Sequence, residues 1–258
     1  MAEPFLRIYG SSDWRPQPGN DCSNYMLDDR ILIDTGWKGV TQLIDDEMDA
    51  TKAPLMLFTH LHPDHRLALP QLLMYWRVHT GSLEGLTIAG PAERVQAAYD
   101  HAFSYLFHDV EDWHEEVRNH ANVLPVMPGD AIETREHLIV AADSHHNVPG
   151  RMYRITHKAS GRTIGFTGDT TYADDIGEFF HGVDTLVCEC TMGMTPREEI
   201  GPNGHMNLWE VAKIANAAQP QQLLLTHCNA DRDAILDAIL PLVSCDVFWA
   251  EPGDMLLY

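Results

Sequence analysis

Two kinds of stretch alternate along the chain. Short apolar runs, at Ile31–Ile33, Leu55–Phe58, Leu138–Ala142, Thr163–Phe166, Thr185–Val187, Leu223–Leu225 and Val247–Trp249, are bounded by polar or turn-forming residues. Runs this short, apolar without alternation, read as strands buried on both faces. Elsewhere the apolar positions recur at helical spacing: Val95, Ala98, Ala102, Tyr105 and Leu106 in a helix predicted to start at Pro91, and LWEVAKIANAA after Asn207. Asn207, with Glu210 three residues on, has the pattern of a capping box, and Pro220 bounds that helix. The alternation implies an α/β architecture with helices covering sheet faces. No repeat, low-complexity tract or linker interrupts it, so residues 1–258 are expected to form one domain.

The chemistry sits where the runs end. Leu55–Phe58 leads into Thr59-His60-Leu61-His62-Pro63-Asp64-His65, Leu138–Ala142 into Asp143-Ser144-His145-His146, and Thr163–Phe166 into Thr167-Gly168-Asp169. Leu223–Leu225 leads into Thr226-His227-Cys228, and Ile31–Ile33 into Asp34-Thr35-Gly36. In α/β sheets such strand ends open onto a shared crevice. Imidazole nitrogen and carboxylate oxygen gathered there are the ligands of hydrolytic metal sites, and burying them together without a cation would leave lone pairs unsatisfied. On an extended segment His60 and His62 face the same way, whereas the turn after Pro63 aims Asp64 and His65 elsewhere, which suits a second ion.

Composition narrows the partners. With 45% hydrophobic and 21% charged residues the chain is an ordinary globule rather than a disordered one. Five cysteines without a C-x-x-C favour reduced thiols. No apolar run approaches the roughly 20 residues of a membrane span. MAEPFLRIYG lacks a secretory pattern, so a cytoplasmic location is expected. Thirty-eight acids against 17 bases give −21, and only Lys38, Lys52, Lys158 and Lys213 are lysines. Nucleic acid and anionic membranes, which need basic surface, are disfavoured. A small-molecule substrate is not, because bound divalent metal inverts the local field.

These motifs, in this order, resemble the metallo-β-lactamase superfamily across nearly the whole chain. The resemblance implies a four-layer αββα sandwich with two divalent metal ions at one edge. By position, His60, His62 and His146 would bind the first ion, Asp64, His65 and His227 the second, and Asp169 both. His146 is preferred to His145 because it stands seven residues ahead of Tyr153-Arg154-Ile155, the spacing of ribonuclease Z-like members. Zinc is the default metal, with Mn²⁺ or Fe²⁺ as alternatives. A homodimer is common among related hydrolases.

Gly204-His205-Met206-Asn207, 22 residues ahead of His227, is similar to the place where ribonuclease Z and related phosphodiesterases keep a histidine on the scissile phosphate. Glu189 matches a carboxylate expected to orient a histidine, although Cys188 and Cys190 replace the usual neighbours. The resemblance implies hydrolysis by water shared between the two ions, with Asp64 accepting a hydrogen bond from it and His205 stabilising the substrate oxygens. A small phosphodiester, such as a cyclic nucleotide or cyclic sugar phosphate, is the leading substrate class, and ester, lactone or thioester the alternative. A transfer-RNA endonuclease fits less well, because no arm-like insertion separates His65 from Asp143 and the charge is wrong for RNA. Asp64-His65-Arg66-Leu67-Ala68-Leu69 also departs from the family's Asp-His-x-x-Gly-Leu. An iron-dependent redox member would need a carboxylate where His62 stands. Tyr99, His101, Phe103, Tyr105, Phe107, His108, Trp113 and His114 read as a packed helix or as a wall over the metals. Arg151 and Arg154 are candidates for an anionic substrate, with an acid as the alternative partner of Arg154.

Overall fold

Successive residues of a strand point to opposite faces, so a run such as Ile31-Leu32-Ile33 needs apolar cover on both sides. The computed structural model, which describes residues 3–45, 47–107, 121–200 and 204–258, supplies that cover with two stacked sheets and flanking helices. Its elements are β1 (Phe5–Ser12), β2 (Asp21–Cys22), β3 (Asn24–Leu27), β4 (Ile31–Ile33), α1 (Gly39–Asp45), β5 (Leu55–Leu57), α2 (Pro63–Arg66), α3 (Leu69–Thr80), β6 (Thr87–Pro91) and α4 (Val95–Phe107). There follow β7 (Asn122–Val126), β8 (Ala131–Glu133), β9 (His137–Asp143), β10 (Arg151–His157), β11 (Thr163–Phe166), α5 (Asp174–Phe179) and β12 (Thr185–Glu189). The chain continues through α6 (Arg197–Ile200), α7 (Leu208–Ala218), β13 (Gln222–Thr226), α8 (Arg232–Ile239), β14 (Asp246–Trp249) and β15 (Met255–Leu257).

One sheet has the order β15-β1-β3-β4-β5-β6-β7, with β2 paired to β1, and the other the order β14-β13-β12-β11-β10-β9-β8. Between them Ile31, Ile33 and Leu57 meet Tyr153, Phe166 and Leu224. The alternate residues Leu32, Met56 and Ile88 turn outward onto Leu72, Trp76 and Phe103 of α3 and α4. On the far side Leu186, Leu223 and Leu225 turn onto Ile176, Val211 and Ile235 of α5, α7 and α8. Burying each such side chain contributes roughly 1.5–3 kcal/mol. The result is a four-layer αββα sandwich.

The predicted strands are present, Ile31–Ile33 and Thr163–Phe166 with the ends expected and the others shifted by one or two residues, and the helix after Asn207 spans Leu208–Ala218 with both bonds of its capping box formed. Pro91 is a correction. It closes β6 instead of opening a helix, and α4 begins at Val95 after a turn in which Arg94 N–H donates to Pro91 O. At Pro91 the strand has a neighbour in β7 but lies beyond the end of its pairing with β5, so the missing N–H breaks no ladder bond on that side.

The strand directions create the site. β4 and β5 are parallel, as are β11, β12 and β13, and β9 runs with β11 because both are antiparallel to β10. Their carboxyl ends deliver the polar residues to one edge. Among the described residues, no helix is long and apolar enough to cross a membrane.

Candidate metal centre

Tight turns follow the strands. Asp34, after β4, and His227, after β13, adopt φ of 52° and 55°, uncommon for residues with a side chain. Gly168, after β11, has φ 56°, and a Cβ there would stand 2.8 Å from that of Thr59. Glycine thus lets the Asp169 turn close onto the His60 loop.

Three ring nitrogens converge first. His62 Nδ1 lies 3.1 Å from His60 Nε2 and 3.2 Å from His146 Nε2. The opposite nitrogens settle which atoms carry protons. His146 Nδ1–H donates to Gly204 O at 2.7 Å, leaving Nε2 with its lone pair. Thr59 Oγ1 donates to Asp34 Oδ2 at 2.7 Å, so it can only accept, at 3.3 Å, from His60 Nδ1–H. Two lone pairs therefore face the same point as His62 Nδ1, and a cation satisfies all three.

A second set adjoins it. His65 Nδ1–H donates to Asp34 Oδ2 at 2.7 Å, and His227 Nδ1–H to Thr191 Oγ1 at 2.8 Å. Their Nε2 atoms approach to 3.3 Å, with Asp64 Oδ2 3.2 Å from that of His227 and 3.5 Å from that of His65. Asp169 serves both sets: Oδ2 is 3.6 Å from His60 Nε2, and Oδ1 is 3.5 Å from His65 Nε2. The donor atoms of each set, His60, His62, His146 and Asp169, or Asp64, His65, Asp169 and His227, lie within 4.8 Å of one another. Imidazole and carboxylate in these numbers fit two divalent cations.

The electrostatics agree. Burial pushes the pKa values of His60, His62 and His146 down, keeping these rings neutral and able to ligate. At His65 burial acts the same way, but Asp169, Asp34 and Asp64 overcome it and raise the pKa well above its ordinary value. Asp169 itself is held well below its ordinary value: burial opposes this, and His227, His65 and His60 prevail. The negative potential that would hold a proton on His65 would hold a metal ion at the same place.

His205 stands at the rim, its side chain 22% exposed, where those of His60, Asp169 and His227 are 1–3% exposed. Its Nδ1–H donates to Glu189 Oε1 at 3.1 Å. Burial lowers its pKa, but Glu189 and Asp169 bring it up to about 9. Glu189 also accepts from Thr170 N–H at 2.8 Å and from the Thr191 hydroxyl at 2.6 Å. With its oxygens so engaged, Glu189 is a positioning group rather than a free ligand, although it lies close to His205 and His227.

Residues near the donors have other partners. His145 turns away to Asp175, 2.9 Å distant. Arg151, 1% exposed, pairs with Glu93 and Asp143, whose carboxylates reach it from the surface, and Arg154 donates to the carbonyls of Phe179 and His181. Neither is available to substrate; their charge had suggested otherwise, but Glu93 and the Phe179 and His181 carbonyls that engage them lie 25 or more residues away in sequence. Cys228 is buried with Sγ accepting from Ala230 N–H, away from the donors. Tyr99 and Phe103 pack in the core while His101 is exposed; His108, Trp113 and His114 lie outside the described residues. Sequence reasoning missed Thr191 and the hold of Asp34 on His65; only the strand-end position of Asp34 hinted at the second.

The model for the beta-lactamase superfamily domain matches residues 29–228, a span that contains every donor named above. The chain belongs to that superfamily. This superfamily member is a metal-dependent hydrolase, and it is similar to an uncharacterized protein of Mycobacterium tuberculosis, 28% identical over 229 residues that cover 86% of this chain and 80% of that one. It is also similar to ribonuclease Z of Listeria monocytogenes, 24% identical over 262 residues, covering 81% and 82% of the two chains. Among solved structures, the metallo-β-lactamase fold protein YhfI of Bacillus subtilis superposes with a TM-score of 0.83 over 99% of both chains at 22% identity, which supports the fold.

Proposed function

We propose that this hydrolase cleaves a small phosphodiester, with His205 donating a hydrogen bond to a phosphoryl or leaving oxygen. His205 carries this reading. It is a rim imidazole fixed by Glu189 beside Asp169, and its Nε2 has no hydrogen-bond partner among the described residues. An anionic phosphoryl oxygen makes more use of an oriented imidazole donor there than a neutral ester or lactone does. His60, His62 and His146 would hold one cation, Asp64, His65 and His227 the other, and Asp169 both. Bound zinc, or Mn²⁺ or Fe²⁺ in its place, would supply Lewis acidity and a water of lowered pKa. Asp64 would accept a hydrogen bond from the attacking water and orient it. His205 would stay hydrogen-bonded to the oxygen on which charge develops, and Glu189 would keep its ring from turning.

The ribonuclease relative supports phosphodiester chemistry by its name, while the −21 charge argues for a small substrate over folded RNA. Metal-loaded protein should turn over p-nitrophenyl phosphodiesters in preference to chromogenic lactones and thioesters. His205→Ala should lower kcat by about 10²–10⁴-fold with metal content unchanged. Turnover confined to lactones or thioesters would overturn the reading.

A further inference from the structure

A cavity of about 180 Å³ lies against the loops that carry the donors, and the chemistry above does not use it. Leu61 and Arg66 line it on one side, Arg94, Ala98 and His101 on another, and Val148 and Pro149 complete the lining. Leu61 sits between His60 and His62, Arg66 follows His65, and Pro149 is three residues past His146. The cavity is therefore built by the same loops as the donor sets, from residues adjacent to them in the chain.

Its charge is out of character with the molecule. Among the described residues no acidic one lines it, in a chain with 38 acids and 17 bases. Several other arginines pair with carboxylates, as Arg7 does with Asp29, Arg162 with Asp184 and Arg232 with Glu251. Arg66 instead donates through Nε to Leu61 O at 2.8 Å, and neither it nor Arg94 has an ion-pair partner among the described residues.

Local structure does not account for Arg94 either. Its carbonyl accepts from Ala98 N–H at the start of α4, a position that favours Asn, Asp or Ser and at which a cation meets the positive end of the helix dipole. Arg94, Ala98 and His101 fall four and three residues apart and share one helical face. The small side chain of Ala98 between them leaves space in the middle.

We propose that this cavity binds a phosphate monoester that the substrate carries away from its scissile bond. Two guanidinium forks and an imidazole match the several oxygens of a dianionic phosphate better than a single carboxylate. A volume of about 180 Å³ is enough for the group and its ester carbon. The proposal rests on the phosphodiesterase reading and narrows it to substrates with a second, terminal phosphate.

Two measurements on the metal-loaded protein separate the claims. In calorimetry, thymidine 3′,5′-bisphosphate should bind at least about tenfold more tightly than thymidine 5′-monophosphate, the scale of a charge-assisted contact. In kinetics, thymidine 5′-(p-nitrophenyl phosphate) should gain a similar factor in kcat/KM when it carries a 3′-phosphate. Arg94→Gln and His101→Gln, both on an exposed helix face, should shrink both ratios, and Arg94→Lys should restore part of them. Equal affinities for the two nucleotides, or ratios that survive both substitutions, would overturn the proposal even if both esters are cleaved. Uncleaved esters with the nucleotide preference intact and lost in Arg94→Gln would uphold the phosphate site and discard the phosphodiesterase reading.

Discussion

Asp34 is in neither donor set, yet it controls both through two hydrogen bonds. Its Oδ2 takes the proton of His65 Nδ1 at 2.7 Å and the hydroxyl of Thr59 at 2.7 Å, and the second bond leaves Thr59 able only to accept from His60. Asn fits the left-handed backbone at this position, so Asp34→Asn should preserve the turn while replacing one acceptor by a donor. Zinc affinity, measured by competition with a chromophoric chelator, should fall by about 10–100-fold. An unchanged affinity would mean that the carboxylate does not orient His65. Thr191 plays the same part for His227, passing its own proton to Glu189 and accepting from Nδ1–H. The donors His60, His62, Asp64 and His65 were readable because they fall within six consecutive residues after an apolar run. Thr191 was not, because its partner His227 is 36 residues away.

At the scale of elements, α7 sets the position of the rim histidine. Asn207 Oδ1 accepts from Glu210 N–H at 3.1 Å, and Glu210 accepts in return from Asn207 N–H at 3.1 Å. Arg197 joins the cap, donating to both Glu210 and the carbonyl of His205. Removing the cap with Asn207→Ala should cost about 1 kcal/mol in chemical denaturation. The same variant should lose kcat on a phosphodiester while retaining its metal, because the loop holding His205 loosens and the ligands do not. A proportional loss of metal and rate would contradict this. The helix was legible because cap and periodicity are local. β10 was harder to see as a strand, since Arg151, Arg154 and His157 interrupt its apolar positions, and Arg151 is tolerated inside only because Glu93 and Asp143 reach it. Pro91 misled for a related reason: a proline suits both a helix start and a strand end free on one side.

Across the whole molecule, Asp28 ties distant parts together. It accepts from Phe5 N–H at 2.6 Å, from His137 Nε2–H of the other sheet at 2.6 Å, and from the hydroxyl of Tyr258 at 2.7 Å. Burial pushes its carboxyl up, but the bonds from His137, Tyr258 and Phe5 bring it below its ordinary value of 3.8. A depressed folded pKa stabilises the fold above the unfolded value, and that contribution disappears as pH falls through the folded one. Asp28→Asn should therefore cost about 1 kcal/mol near neutral pH, after allowance for solvent screening. The gap from the parent chain in urea unfolding should close as pH drops below 3.8. A gap constant across that range would show that the carboxylate charge contributes nothing.

The chain alone carried the layer type, the period of its strands and helices, and the candidate metal donors, because each depends on residues close together or on one polar group placed after one apolar run. Only the folded molecule decided that Asp34, Thr191 and Gly204 fix the histidine protons, that Arg151 is internal, and that Arg66, Arg94 and His101 share a cavity. Those outcomes depend on contacts between segments far apart in sequence, and no local pattern encodes which carboxylate an arginine will meet.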